Sequence, residues 1–113
     1  MDMNWNEYRK ETLSNVSDFA KAAPEIMKAL MAVSAASQKT GHLDEKTREL
    51  ISVAVAITTR CDGCIAAHAE AAVKAGVTEE ELTEALSVAI NLNTGAAMVY
   101  SSRALAAVRQ VQK

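Results

Sequence analysis

A chain of 113 residues and 12.1 kDa, half of it apolar and 23% charged, has the length of one domain and too much apolar content for a disordered segment. Its net charge of −2 argues against a nucleic-acid footprint. Aromatic residues make up only 4% of the chain, against 22 alanines, 10 valines and 8 leucines, a composition that favours closely packed helices over a core of a few large anchors.

The N-terminal stretch Met1-Asp2-Met3-Asn4-Trp5-Asn6-Glu7 has no basic region leading into an apolar run, so it does not read as a signal peptide. Trp5, Tyr8, Thr12, Val16, Phe19 and Ala20 recur near a period of 3.6 and predict a first helix from Trp5 to Ala20. Pro24 suits the first position of a second helix, whose stripe is Ile26, Met27, Leu30, Met31 and Ser34. Lys39-Thr40-Gly41-His42 reads as a loop, and Asp44 as the N-cap of a helix with a charged first turn. The run from Leu50 to Thr59 is β-branched enough for a buried strand. Its capped start, its alanines and its length favour a helix that is apolar on most sides. No segment reaches the ~20 apolar residues of a membrane span. Arg60-Cys61 opens a further helix that ends at Gly76, a suitable residue beyond a C-cap. Thr78-Glu79-Glu80-Glu81 is a capping box. The helix it starts is expected to turn near Asn91–Gly95, before a last helix from Ala96 to Val111. The expectation is a single all-α domain over residues 1–113, a bundle of about six helices. A small alanine-rich chain buries a modest fraction of its surface alone, so a homo-oligomer is favoured over a monomer. The compartment expected is the cytoplasm.

The chemistry-bearing segment is Cys61-Asp62-Gly63-Cys64-Ile65-Ala66-Ala67-His68. On a helical wheel with Cys61 at the origin, Cys64 falls at roughly 300° and His68 at roughly 340°, beside Ile65, Ala71, Ala72 and Ala75. Both sulfurs and the imidazole therefore share the face expected to turn inward. A thiol pair at this spacing closes a disulfide when the first cysteine sits at the helix start, where backbone N–H groups favour thiolate. His68, at the (i, i+4) position from Cys64, can accept a thiol proton. Glu49 sits twelve residues before Cys61 across the apolar run. A helical hairpin near Thr59-Arg60 would bring it to His68, to orient the ring or relay a proton. Other readings of the pair are two small buried residues, or a metal site. The latter has three ligands at most from this helix, and a closed zinc site usually needs four.

Arg48-Glu49-Leu50, an apolar run, Cys61-x-x-Cys64-x-x-x-His68, Ala72-x-x-x-Gly76 and Glu79-Glu80-Glu81 together resemble the carboxymuconolactone decarboxylase superfamily, and within it the alkylhydroperoxidase D-like branch. The resemblance covers a core of about residues 43–100. It implies an all-helical fold, a homo-oligomer (trimer or hexamer) and a thiol-dependent peroxidase site. By position, Cys64 is then the peroxide-attacking thiolate, Cys61 the resolving partner, and His68 with Glu49 the proton relay. No flavin or metal cofactor is implied. The partners are a small hydroperoxide and an unidentified dithiol reductant protein, with neither nucleic acid nor membrane. The founding enzymes of the branch carry a second histidine directly before the second cysteine. That position is Gly63 here, which leaves the relay to Glu49 and His68. The lactone decarboxylases generally lack the cysteine pair. The alternatives to a peroxidase are a non-catalytic redox-sensing oligomer, a lactone decarboxylase-type protein and a metal-binding member.

Overall fold

Every helix start that the sequence marks with a cap is built by that cap. The computed structural model describes residues 3–113, so Met1 and Asp2, the first residues of the N-terminal stretch read above, lie outside the described residues. Asn4 Oδ1 accepts from Glu7 N at 3.1 Å and opens α1, Trp5–Ala22. α2, Pro24–Gln38, begins on its proline after a single intervening residue. Asp44 Oδ1 accepts from Thr47 N at 2.8 Å and starts α3, Glu45–Thr59. The run that could have been a strand is helical, and its serine and threonine hydroxyls bond back to carbonyls one turn earlier. α4, Asp62–Lys74, closes on Gly76 at φ 85. There Gly76 N and Val77 N return to the carbonyls of Val73 and Ala72, as in a Schellman ending. The capping box at Thr78 and Glu81 starts α5, Glu79–Val111. All elements among the described residues are helices, and none is long and apolar enough to cross a membrane.

The expected turn at Asn91–Gly95 is absent: the described residues form five helices, and α5 runs unbroken for 33 residues. Glycine and asparagine lower helix propensity by less than ~1 kcal/mol each, which the turns on both sides outweigh. Asn93 is held inside the helix, its Nδ2 donating to Ala89 O at 2.8 Å and to Thr58 Oγ1 of α3 at 3.1 Å.

α3, α4 and the first half of α5 form the core. Lys46 pairs with Glu81 at 3.1 Å and Thr58 with Asn93 at 3.1 Å, both 35 residues apart in sequence. α3 and residues 79–93 of α5 therefore run side by side in the same direction, and α4 returns along α3. The residues beyond about Asn93 continue past the end of α3, and every residue from Ile90 on is exposed. α1 packs on α4, and α2 packs on α1. The buried positions are Val53, Ala56, Ala66, Ala72 and Ala89, nearly all alanine. A core of such small side chains lets helices approach closely but contributes little area per residue.

Candidate active site

Cys61, Cys64 and His68 take their places from the way the chain turns between α3 and α4. Arg60 caps α3 in the left-handed conformation, φ 56 and ψ 49, and Cys61 N returns to Ala56 O at 3.0 Å. The chain reverses within two residues, and Cys61 becomes the N-cap of α4 rather than its first helical residue. Its backbone is extended, and its Sγ accepts the N–H of Cys64 at 3.2 Å. The sulfur thus stands where a serine or aspartate oxygen usually caps a helix, at the end where backbone N–H groups favour negative charge. The Cα atoms of Cys61 and Cys64 are 5.2 Å apart, and their sulfurs stand at disulfide-bonding distance.

His68 and Glu49 meet across the hairpin. His68 Nδ1 and Glu49 Oε1 are 2.6 Å apart, with the glutamate side chain 18% exposed and the imidazole 41%. The structure thus joins the four residues singled out in the sequence in two contacts, Cys61 with Cys64 and His68 with Glu49. The cysteine face is less enclosed than expected: Cys61 is half-buried, but Cys64 is exposed to solvent. Among the described residues, no group of three or more His, Cys, Asp and Glu side chains is arranged to hold a metal ion.

A second stripe on α4 escaped the helical wheel, because it carries no large apolar side chain. Gly63, Ala66 and Glu70 follow one another at intervals of three and four, and α1 lies against them. Arg9 Nη2 pairs with Glu70 at 3.2 Å, Ala66 is 1% exposed, and a Cβ at Gly63 would sit 3.3 Å from Thr12 Cγ2. Gly63, at the position directly before the second cysteine where the founding enzymes of the resembled branch carry a histidine, serves in this chain as the seat of α1.

An open cavity of about 400 Å³ adjoins the pair on its other side. Glu49 and His68 line it, together with Arg48 and Ser52 of α3 and Ser34, Ser37 and Gln38 of α2. Arg48 belongs to the sequence motif but had no role there. Its contact with Ser37, eleven residues earlier and on another helix, leaves no trace in the local pattern.

Comparison with known proteins places this geometry in context. The sequence profile of the carboxymuconolactone decarboxylase family matches residues 24–109. An uncharacterized protein of Haemophilus influenzae is 56% identical over 113 residues, which span all of this chain and 99% of that one. A protein of Paracoccus denitrificans, described as uncharacterized protein 4 in the cox locus, is 35% identical over 85% of this chain and 86% of its own length. Among solved structures, an apo carboxymuconolactone decarboxylase family protein from Legionella pneumophila superposes with a TM-score of 0.73 at 35% identity, covering 96% of this chain and 97% of that one. A protein from Methanobacterium thermoautotrophicum gives 0.69 at 40% identity, over 75% of this chain and 96% of its own.

Proposed function

This chain belongs to the carboxymuconolactone decarboxylase family, and within it we propose a thiol-dependent peroxidase that uses the Cys61–Cys64 pair. The observation that carries the reading is the pairing of two sulfurs at disulfide-bonding distance on the first turn of α4 with an imidazole on the next turn held by Glu49.

The Cys64 thiolate attacks the terminal oxygen of a hydroperoxide. The O–O bond breaks, Cys64 becomes a sulfenic acid, and the departing alkoxide takes a proton delivered through His68 to leave as an alcohol. The Cys61 thiolate then attacks Cys64 Sγ and forms the disulfide, and the hydroxide released is protonated to water. A dithiol donor protein returns the pair to its starting state. Its thiolate attacks Cys64, the exposed sulfur, and expels Cys61 as the leaving thiolate. The Cys64 N–H that caps Cys61 Sγ at 3.2 Å stabilises charge on that leaving group. A second donor thiol resolves the mixed disulfide, so two electrons pass from the donor to the peroxide in each cycle. The dithiol itself is the redox group, with no added cofactor. The chain works as a homo-oligomer in the cytoplasm, where dithiol pools keep such pairs reduced.

A reductant-coupled assay over hydrogen peroxide and organic hydroperoxides tests the reading. Cys64→Ser abolishes peroxide consumption. Cys61→Ser retains the first oxidation of Cys64 to the sulfenic acid but forms no Cys61–Cys64 disulfide. Consumption that persists in Cys64→Ser sinks the proposal, as does stoichiometric oxidation without turnover in the wild type; the latter leaves a redox sensor.

A further inference from the structure

We propose that Arg48 selects the substrate of this site, and that the substrate is a hydroperoxide carrying a carboxylate. The inference rests on the peroxidase reading and extends it to a substrate class. Arg48 is half-buried at the wall of the cavity that also holds Glu49 and His68. Its Nη2 donates to Ser37 Oγ at 3.2 Å, and the Ser37 hydroxyl donates onward to Ser34 O at 2.8 Å. Among the described residues, no carboxylate lies within 4 Å of its guanidinium: the acidic partners of the other ion pairs are Glu70, Glu81 and Glu49, and Glu49 is taken up by His68. Glu45, one turn earlier, lines the adjoining cavity with Arg48 and Lys74 but stands beyond ion-pair distance of both, and Lys74 pairs with Glu70 at 3.7 Å.

A guanidinium offers five N–H donors in a planar fork that matches a carboxylate. Among the described residues a neutral hydroxyl is its one side-chain hydrogen-bond partner, so it retains donors for an anion on the cavity side. Ser34, Gln38 and Ser52 add neutral polar groups that bind an anion's surroundings without competing for its charge. The cavity, about 400 Å³, is of the size that takes a small organic ligand. Cys64 does not line this cavity; it lies four residues before His68, about 6 Å along the helix axis. A substrate anchored at Arg48 must therefore span His68 before its peroxy group meets the sulfur. This selects a chain with the carboxylate and the –OOH at separated positions, such as a hydroperoxy fatty acid, over hydrogen peroxide.

The test compares linoleic acid hydroperoxide with its methyl ester in the coupled assay, using the full-length protein. The wild type turns over the acid with a kcat/KM about tenfold or more above the ester, the worth of one charge-assisted contact. Arg48→Gln lowers the acid-to-ester ratio about tenfold, chiefly through KM for the acid, and Arg48→Lys recovers part of it because the charge returns without the fork. An acid-to-ester ratio near one in the wild type, or a ratio unmoved by Arg48→Gln, overturns the inference while leaving the peroxidase reading standing. Absence of turnover with every hydroperoxide sinks that reading instead. The carboxylate site is then read by calorimetric titration with the hydroxy acid of linoleate. Binding that weakens about tenfold in Arg48→Gln supports it, and equal or absent binding in the two proteins overturns it.

Discussion

The 2.6 Å contact between His68 Nδ1 and Glu49 Oε1 decides what the imidazole can do. With Glu49 as carboxylate, an acceptor only, Nδ1–H is the donor and Nε2 is the nitrogen left free to exchange a proton. Glu49→Gln preserves shape and an acceptor oxygen but removes the charge, and its amide can rotate to present N–H and favour the other tautomer. Peroxide consumption is expected to fall about tenfold or more, the scale of a displaced acid–base group, while the circular dichroism spectrum stays helical. Turnover equal to wild type would remove Glu49 from the relay. The four residues of this cluster were legible in the sequence because three of them sit at fixed helical intervals and the fourth lies one hairpin away. Arg48 was not, because its position at the cavity wall depends on α2, which α3 meets only in three dimensions. Cys61 was legible as a helix-start residue, but its role as the cap itself depends on the left-handed Arg60 before it, a conformation an arginine does not announce.

At the scale of elements, the helix starts carry both the legible signals and a measurable pH dependence. The Thr47 side chain and backbone N–H hold Asp44 below its usual 3.8, and the Thr78 N–H and Lys46 hold Glu81 below its usual 4.5. A carboxylate depressed in the fold contributes stability that is complete above its unfolded value and is lost as pH falls through the folded one. Melting temperature is therefore expected to drop on acidification below about pH 4.5. The gap between wild type and the Asp44→Asn/Glu81→Gln pair narrows over the same range. A gap that stays constant down to about pH 3 contradicts this. The helices were readable where an apolar stripe recurs behind a helix-start signal. The supposed break at Asn91–Gly95 failed because propensity at a few residues is a weak local term, and Asn93 finds its partners on α3 and within its own helix. The α1 seat on α4 makes a third expectation. Gly63→Ala trades a gain in helix propensity of up to ~1 kcal/mol against the 3.3 Å approach to Thr12, and is near neutral. Gly63→His cannot be accommodated so cheaply and lowers the melting temperature by displacing α1. Restoring the histidine of the founding enzymes thus costs an interface. Paired with Thr12→Ala, the loss shrinks, with a coupling of about 1 kcal/mol in the double-mutant cycle; a coupling near zero places the cost elsewhere.

At the scale of the whole molecule, one chain leaves most of its apolar side chains uncovered. The radius of gyration is 18.4 Å, where a compact chain of this length has about 13 Å. The accessible surface is 9119 Å², against roughly 6,000 Å² expected for a folded monomer of this mass. The excess is several times the ~800 Å² that each partner contributes to a standard interface. Exposed apolar side chains lie on several elements, among them Leu13, Val16 and Phe19 of α1. α2 exposes Ile26, Leu30, Met31 and Val33, and the half of α5 beyond Asn93 exposes Met98, Leu105 and Val108 in one sector of the helix, about 80° wide. A 33-residue helix whose second half is exposed throughout is costly unless another surface covers that half. We propose a second copy as that cover; the alanine-rich composition, read first as a reason to associate, allows the close helix approach it needs. Sedimentation at micromolar concentration is expected to give a multiple of 12.1 kDa for the wild type. Leu105→Glu with Val108→Glu places two buried charges in that contact and shifts the mass toward the single chain. If assembly also shields the open side of the dithiol, peroxide turnover per chain falls with the mass. A wild type that sediments as one chain, or a double variant of unchanged mass, rejects the α5 contact.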